Sequence, residues 1–373
     1  MISRSTLSRL CIVGARNRFG LIPTSNGVVL DGSAPTALPQ LKTTTAQGHD
    51  SRFCKDFSFV DILGRGSFGI VCSAVNRLDL QLYAVKCVPF DERTQNVFGE
   101  IRAMAKLPPH ENIIRYFSCW KEAVSPKFCH MLNENMSEYL SEDLTVSNTS
   151  TPTEFTEVTQ ILYIQMELCQ DNLRSWLKDR KAVDALSSLN VLFQLINGLL
   201  HMHQHGVLHL DVKPENCFRN GALFKFGDFG SSYTEGDAPS DDGKYLGTGS
   251  YAAPECEWGK SQCSSKTDVF SLGLCLMELF DVFSTGMARA LLFSGVRSRD
   301  TSMPWSEQWP SVSNMVFAMT NPIPEDRPTL VQTLEWCCVM AGPSIHPSFK
   351  SLSPQGFDSA NEPIHDEVQG LIG

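Results

Sequence analysis

Six short blocks lie between Gly64 and Glu255, and their order constrains the fold more than any one of them does. At the centre stands His209-Leu-Asp-Val-Lys-Pro-Glu-Asn216, followed twelve residues later by Asp228-Phe-Gly230. An aspartate able to orient a hydroxyl, a lysine two residues on, an asparagine three further and a second aspartate able to hold a metal imply phosphoryl transfer from ATP. The upstream half of such a site must hold the nucleotide. Gly64-Arg-Gly-Ser-Phe-Gly-Ile-Val71 supplies Gly64, Gly66 and Gly69, which let backbone approach phosphate closely, and ends on Val71. Tyr83-Ala-Val-Lys86 supplies an ammonium on an expected third strand, with Glu100, in the helical run FGEIRAMAKL, as its expected ion-pair partner. A glycine triplet alone is weak evidence, because glycine-rich turns are common. Six blocks in one order are strong evidence.

With these blocks in place, residues from about 56 to 340 resemble a eukaryotic protein kinase domain. The resemblance implies an α+β, bilobal fold, with a small antiparallel β-sheet lobe over residues 53–168, a larger mainly helical lobe over residues 169–340, and ATP between them. It implies Asp211 as catalytic base, Lys213 as the group steadying the transferring phosphoryl, and Asn216 and Asp228 as Mg2+ ligands. It further implies that Met166 closes the back of the adenine pocket and that the backbone of Glu167 to Cys169 hydrogen-bonds the adenine edge. Glu255 and Arg327 would form a buried structural ion pair. None of the catalytic positions is degenerate, which speaks against a domain kept only as a scaffold. One position departs from the common pattern: Leu210 stands where most such loops carry arginine before the catalytic aspartate, and it has no charge with which to grip an activation-loop phosphate. Activity independent of such a phosphate is expected; the alternative is a tolerated packing substitution.

At 373 residues and 42% hydrophobic, the chain can bury the core of one such domain, and no second domain is visible. A net charge of −10 and a pI near 5.4, with no Lys/Arg stripe, argue against direct nucleic-acid binding. The thirteen cysteines are scattered without a Cys-x-x-Cys pair, and adjacent Cys337 and Cys338 chelate poorly, so reduced thiols are expected rather than zinc. His201, His203, His205 and His209 read as ordinary helix-end histidines, because an i, i+2 spacing turns neighbours to different faces. No stretch approaches the roughly 20 apolar residues of a membrane-spanning helix, and a cytoplasmic location is expected.

Residues 1–52 read as a disordered flank and residues 341–373 as a flexible tail. The first 30 residues hold Arg4, Arg9, Arg16 and Arg18 without an acid, a composition similar to a mitochondrial presequence; a disordered leader or a misplaced gene start is the preferred reading. Residues 121–160, dominated by Ser, Thr, Asn and Glu, cannot offset their own ordering by burial and read as an insert between the fourth and fifth strands; the alternative is a random loop expansion.

The strings around that insert, NIIRYFSCWKEA and LYIQMELC, are similar to those of the kinases that phosphorylate the alpha subunit of eukaryotic translation initiation factor 2. So are DVFSLGLCLMELF, FSTGMARALLFSGVRS and NPIPEDRPT in the large lobe, together with Asp242-Gly-Lys244. This resemblance implies that alpha subunit as protein substrate, repression of translation under stress, docking through a helix that contains Thr285, and a possible homodimer through the small lobe. No coiled-coil heptads enforce pairing. HLDVKPEN and RYFSCW also resemble the Wee-type kinases that inhibit cyclin-dependent kinases, which would allow a nuclear location. Gly247-Thr-Gly-Ser-Tyr-Ala-Ala-Pro-Glu255 has the pattern of serine/threonine kinases and favours the first reading.

Overall fold

The computed structural model describes residues 51–66, 69–90, 97–123, 160–234, 249–259, 262–283, 285–300 and 307–342. The N-terminal flank up to residue 50, the tail from 343, most of the expected insert and Asp242-Gly-Lys244 lie outside the described residues. The described residues divide into two compact units, one drawn from 51–90, 116–123 and 160–170, the other from 97–115 and 171–342. The segment 97–115 therefore groups with the second unit, although the sequence suggests an uninterrupted small lobe.

The first unit opens with the short helix α1 (Arg52–Asp56) and continues as an antiparallel sheet of β1 (Phe57–Gly66), β2 (Gly69–Asn76), β3 (Leu82–Pro89), β4 (Tyr116–Ala123) and β5 (Gln160–Glu167), in the order β1-β2-β3-β5-β4. Ile70 to Ala74 in β2 and Ile161 to Met166 in β5 are buried without alternation. Their β-branched and aromatic side chains suit such strands. The core gathers Phe53, Phe57, Ile62, Ile70, Val85, Ile161 and Tyr163. Phe53 stacks on Tyr163 at 5.2 Å, and Tyr163 on Trp120 at 5.1 Å. The strands reach further into the expected insert than composition suggests: Lys121, Glu122 and Ala123 pair with Leu162, Ile161 and Gln160. Glu122 has a reason to be ordered, since its carboxylate accepts from Ser51 Oγ at 2.9 Å and from the Arg52 N–H at 2.6 Å, fixing α1. By contrast, residues 112–115, just before β4, form only an isolated bridge from Ile113 to Phe226.

The second unit begins with α2 (Val97–Lys106) and resumes with β6 (Asp171–Asn172), α3 (Leu173–Asp179) and α4 (Ala185–Gln204). Short strands β7 (Val207–Leu208), β8 (Cys217–Asn220), β9 (Leu223–Phe226) and β10 (Tyr233–Thr234) follow, paired as β6-β8-β9 and β7-β10. The helices α5 (Ser265–Leu279), α6 (Gly286–Arg297), α7 (Pro310–Met319) and α8 (Leu330–Ala341) complete it. Local sequence sets their starts. Asp184 caps α4, and Ser264 with Thr267 and Thr329 with Gln332 form capping boxes on α5 and α8. Every residue of α5 from Thr267 to Leu279 is buried, so this helix is the centre of the unit. Its C-terminal carbonyls are held by Arg180, which donates to Leu279 O at 2.6 Å and to Glu278 O. Contrary to the sequence expectation, α4 is long and apolar enough to cross a membrane by length and composition. Leu189, Leu192, Leu195, Ile196 and Leu199 are buried inside the unit, and that burial explains its composition.

Candidate active site

In the first unit the glycine block forms the hairpin of β1 and β2. Gly64 pairs with Val71 and Gly66 with Gly69, while Ser67 and Phe68 at the tip lie outside the described residues. Gly69 has a steric reason: a Cβ there would sit 2.2 Å from the Cys87 carbonyl oxygen of β3. Val71 and Lys86 are opposite one another on β2 and β3, both buried, and Lys86 also pairs with Ile164 on β5. Met166, buried on β5, pairs with Ala84 and Tyr116; Glu167 pairs with Tyr83; Cys169 is buried just past the strand. One sheet thus gathers the residues expected at the nucleotide.

In the second unit the segment between β7 and β8 is a buried polar turn. Asp211 Oδ2 accepts from Lys213 Nζ at 2.6 Å and from Asn216 Nδ2 at 2.9 Å, and Asn216 Nδ2 also reaches the Asp211 carbonyl at 2.9 Å. With its amide nitrogen committed to Asp211, Asn216 presents its Oδ1, which is buried without a hydrogen-bond partner. A buried acceptor of this kind fits a hard cation, which takes oxygen ligands. The Gly227 N–H donates to Asn216 O at 3.0 Å, which brings β9 and the following Asp228 alongside the turn. Asp228 lies in left-handed backbone at φ 58°, a conformation that short Asp side chains tolerate better than most. Glu100 on α2 approaches the same place: a Cβ on Gly230 would lie 3.5 Å from Asp228 Oδ1 and 3.8 Å from Glu100 Oε2.

The turn is held from below by Asp268 of α5, a residue that the sequence reading missed. Its Oδ2 accepts from the His209 N–H at 2.9 Å and from His203 Nε2 at 2.7 Å, and its Oδ1 from the Leu210 N–H at 2.8 Å. Burial opposes the charge, yet His203 and His209 overcome it and hold the carboxyl below the usual aspartate value. Leu210 is 1% exposed with φ 59°, a conformation costing a side chain roughly 1–2 kcal/mol that the Asp268 bond offsets. His209 completes the turn: its Nδ1 accepts from the Asp211 N–H at 3.3 Å, which leaves the ring proton on Nε2, aimed at Gly227 O at 3.2 Å. The only signal for Asp268 is an acid at the head of an apolar helix.

A second network escaped the sequence reading. Arg174 of α3 donates to Glu215 Oε1 at 2.8 Å, to both oxygens of buried Glu278 and to Tyr251, whose hydroxyl also donates to Glu278. The Glu255–Arg327 pair, in contrast, is formed as expected, each guanidinium NH2 group donating to a separate carboxylate oxygen, at 2.7 and 2.8 Å. Thr285 is exposed and caps α6, accepting from the Ala288 N–H at 3.1 Å, and Met287 and Leu291 on that helix are 72% and 67% exposed. Among the described residues no group of histidines, cysteines and acids is arranged to hold a metal by itself.

A strand hairpin with spaced glycines, a buried lysine on the third strand and a polar aspartate–asparagine turn define a nucleotide-handling domain of mixed α+β class. The protein kinase domain matches residues 57–337, and the chain belongs to that family. The chain is 27% identical over 312 residues to eIF-2-alpha kinase GCN2 of Arabidopsis thaliana, covering 76% of this chain and 25% of the relative. It is 31% identical over 291 residues to the interferon-induced, double-stranded RNA-activated protein kinase of Mus musculus, covering 77% and 51%. It is also 30% identical over 265 residues to the membrane-associated tyrosine- and threonine-specific cdc2-inhibitory kinase wee-1.3 of Caenorhabditis elegans, covering 69% and 33%. The chain therefore spans between a quarter and about half of the length of these relatives.

Proposed function

We propose that the chain is a serine/threonine protein kinase that transfers the γ-phosphoryl group of ATP to a protein hydroxyl. The observation that carries this reading is the turn at 209–216, where one aspartate oxygen is fixed by Lys213 and Asn216 while Asn216 Oδ1 stays buried without a partner. Asp211 orients the attacking hydroxyl and takes its proton; Lys213 steadies the group in flight. Asn216 Oδ1 and the Asp228 carboxylate are the hard donors that would hold Mg2+, and Mg2+ when bound neutralises charge on the phosphate oxygens. Gly64, Gly66, Gly69 and Val71 cover the nucleotide, Lys86 and Glu100 position its phosphates, and Met166, Glu167 and Cys169 frame the adenine. Asp211→Asn and Lys86→Met should each lower turnover by about 10²-fold or more while the chain stays folded. Full turnover in either variant would overturn the assignment.

The protein substrate we infer is the alpha subunit of translation initiation factor 2, with the kinase acting in the cytoplasm to repress translation under stress, as a possible dimer through its first unit. Support comes from the likeness to proteins named eIF-2-alpha kinase and from the exposed apolar positions on α6. The likeness to a cdc2-inhibitory kinase favours a second reading, phosphorylation of a cyclin-dependent kinase. Purified alpha subunit and a cyclin-dependent kinase, offered side by side, separate the two. Label on the alpha subunit supports the first reading, and label on the cyclin-dependent kinase alone sinks it.

A further inference from the structure

Two cysteines meet beside the Glu255–Arg327 pair. Cys256 lies in the 3-10 turn Pro254–Trp258 and Cys263 directly precedes the Ser264 cap of α5, and their sulfurs are 3.8 Å apart. That is contact distance for two thiols, and a disulfide needs about 2 Å. We propose that Cys256 and Cys263 form a modification site, a thiol pair that hydrogen peroxide converts reversibly to an intramolecular disulfide.

Several observations single this pair out. Cys263 is partly exposed while Cys256 is buried, so an oxidant reaches one sulfur with the second waiting behind it. The hydrogen bond with Cys256, helped by Thr267, holds the Cys263 thiol below its ordinary value against burial and the charges of Glu255 and Asp268. The two ends are already tied together, because Glu255, next to Cys256, accepts from Thr267 Oγ1 of α5 at 2.9 Å. Closing the bridge needs the two sulfurs to approach from 3.8 Å to about 2 Å. Cys72 and Cys87 are the contrast, since both are fully buried in the sheet and the hydrogen bond with Cys72, together with burial, pushes the Cys87 thiol well up.

The chemistry balances without a cofactor. The Cys263 thiolate attacks a peroxide oxygen, the O–O bond breaks, and the departing hydroxide with the proton already shed by the thiol makes one water, leaving a sulfenic acid. The Cys256 thiol then attacks that sulfur; the S–S bond forms, the S–O bond breaks, and hydroxide leaves with the Cys256 proton as a second water. Two electrons pass from the sulfurs to peroxide.

The test uses the full chain, treated with hydrogen peroxide under native conditions, alkylated, and digested without reductant for mass spectrometry. The expected result is one cross-linked species joining the peptides of Cys256 and Cys263, with equal loss of free thiol at both positions, recovery on adding dithiothreitol, and Cys72 and Cys87 still reduced. In Cys256→Ser the sulfenic acid of Cys263 should persist long enough for dimedone to trap it, and in Cys263→Ser the thiol of Cys256 should stay reduced. Oxidation of exposed Cys54 with both Cys256 and Cys263 recovered as free thiols overturns the proposal, as does a bridge from either to any other cysteine. The wild-type map decides the matter even if a serine variant fails to fold.

Discussion

Glu255 and Arg327, 72 residues apart, bury opposite charges against one another, and each would be stranded without its partner. Glu255→Gln or Arg327→Met should each cost about 3–5 kcal/mol in urea unfolding, and the double variant should cost less than the sum. Strict additivity would mean that the pair is not coupled. Burial raises the Glu255 carboxyl, but Arg327 overcomes it and the net shift is downward, so this stabilisation is present above the ordinary glutamate value and is lost as pH falls through the depressed one. At this scale the sequence is uneven. Asp211, Lys213, Asn216 and Asp228 stand in fixed spacing along one stretch and can be read directly. Asp268 and Glu278 cannot, because a carboxylate in an apolar helix announces that it must have donors without saying which. The partners of Asp268 come from 58 to 65 residues earlier in the chain.

Among the elements, the end of α4 shows how spacing and packing divide the work. His205 is the C-cap of α4, four residues after His201, and its ring tilts against His201 at 4.4 Å, while His201 stacks in turn on His110 at 4.5 Å. Burial first, then His201 and Lys225, lower the His110 imidazole to about 4, while its Nδ1 accepts from the Asn112 N–H. Between 6.5 and about 4 the unfolded chain binds a proton that the folded chain refuses, so stability should drop as pH falls through that window and level off below it. His110→Gln should flatten the slope of urea midpoint against pH there, and an unchanged slope would assign the loss to other groups. Helix α6 offers a second test. Aspartate caps helices as well as threonine does, so Thr285→Asp keeps the cap on α6 while adding a charge at an exposed position. The variant should lose activity on intact alpha subunit several-fold more than on an unstructured basic peptide. Equal losses would point to damaged folding, and no loss would place docking elsewhere.

For the molecule as a whole, Leu210 is a buried apolar side chain with no charge to pair with an activation-loop phosphate, so activity independent of such a phosphate is the expected outcome. Phosphatase-treated chain should keep most of its rate; a large loss, mapped to one acceptor, would show that another basic group serves. Of the hydroxyl acceptors from Ser231 to Tyr251, Ser231, Thr234 and Tyr251 are buried, Ser232 and Tyr233 are half-buried and Ser250 is exposed, while Ser240, Tyr245 and Thr248 lie outside the described residues. The α+β class was legible because the motif blocks fall in one order along the chain. The grouping of 97–115 with the second unit was not, because contacts far apart in sequence decide it. The Asp268 anchor has a consequence in time. A ribosome delivers residues 209–216 long before it delivers α5, at about 5–20 residues per second, so for seconds the turn exists without the carboxylate that orders its backbone. The emerging polypeptide cannot assemble this chemistry early, and any truncation that ends before residue 268 should stay inert however completely its motifs are present.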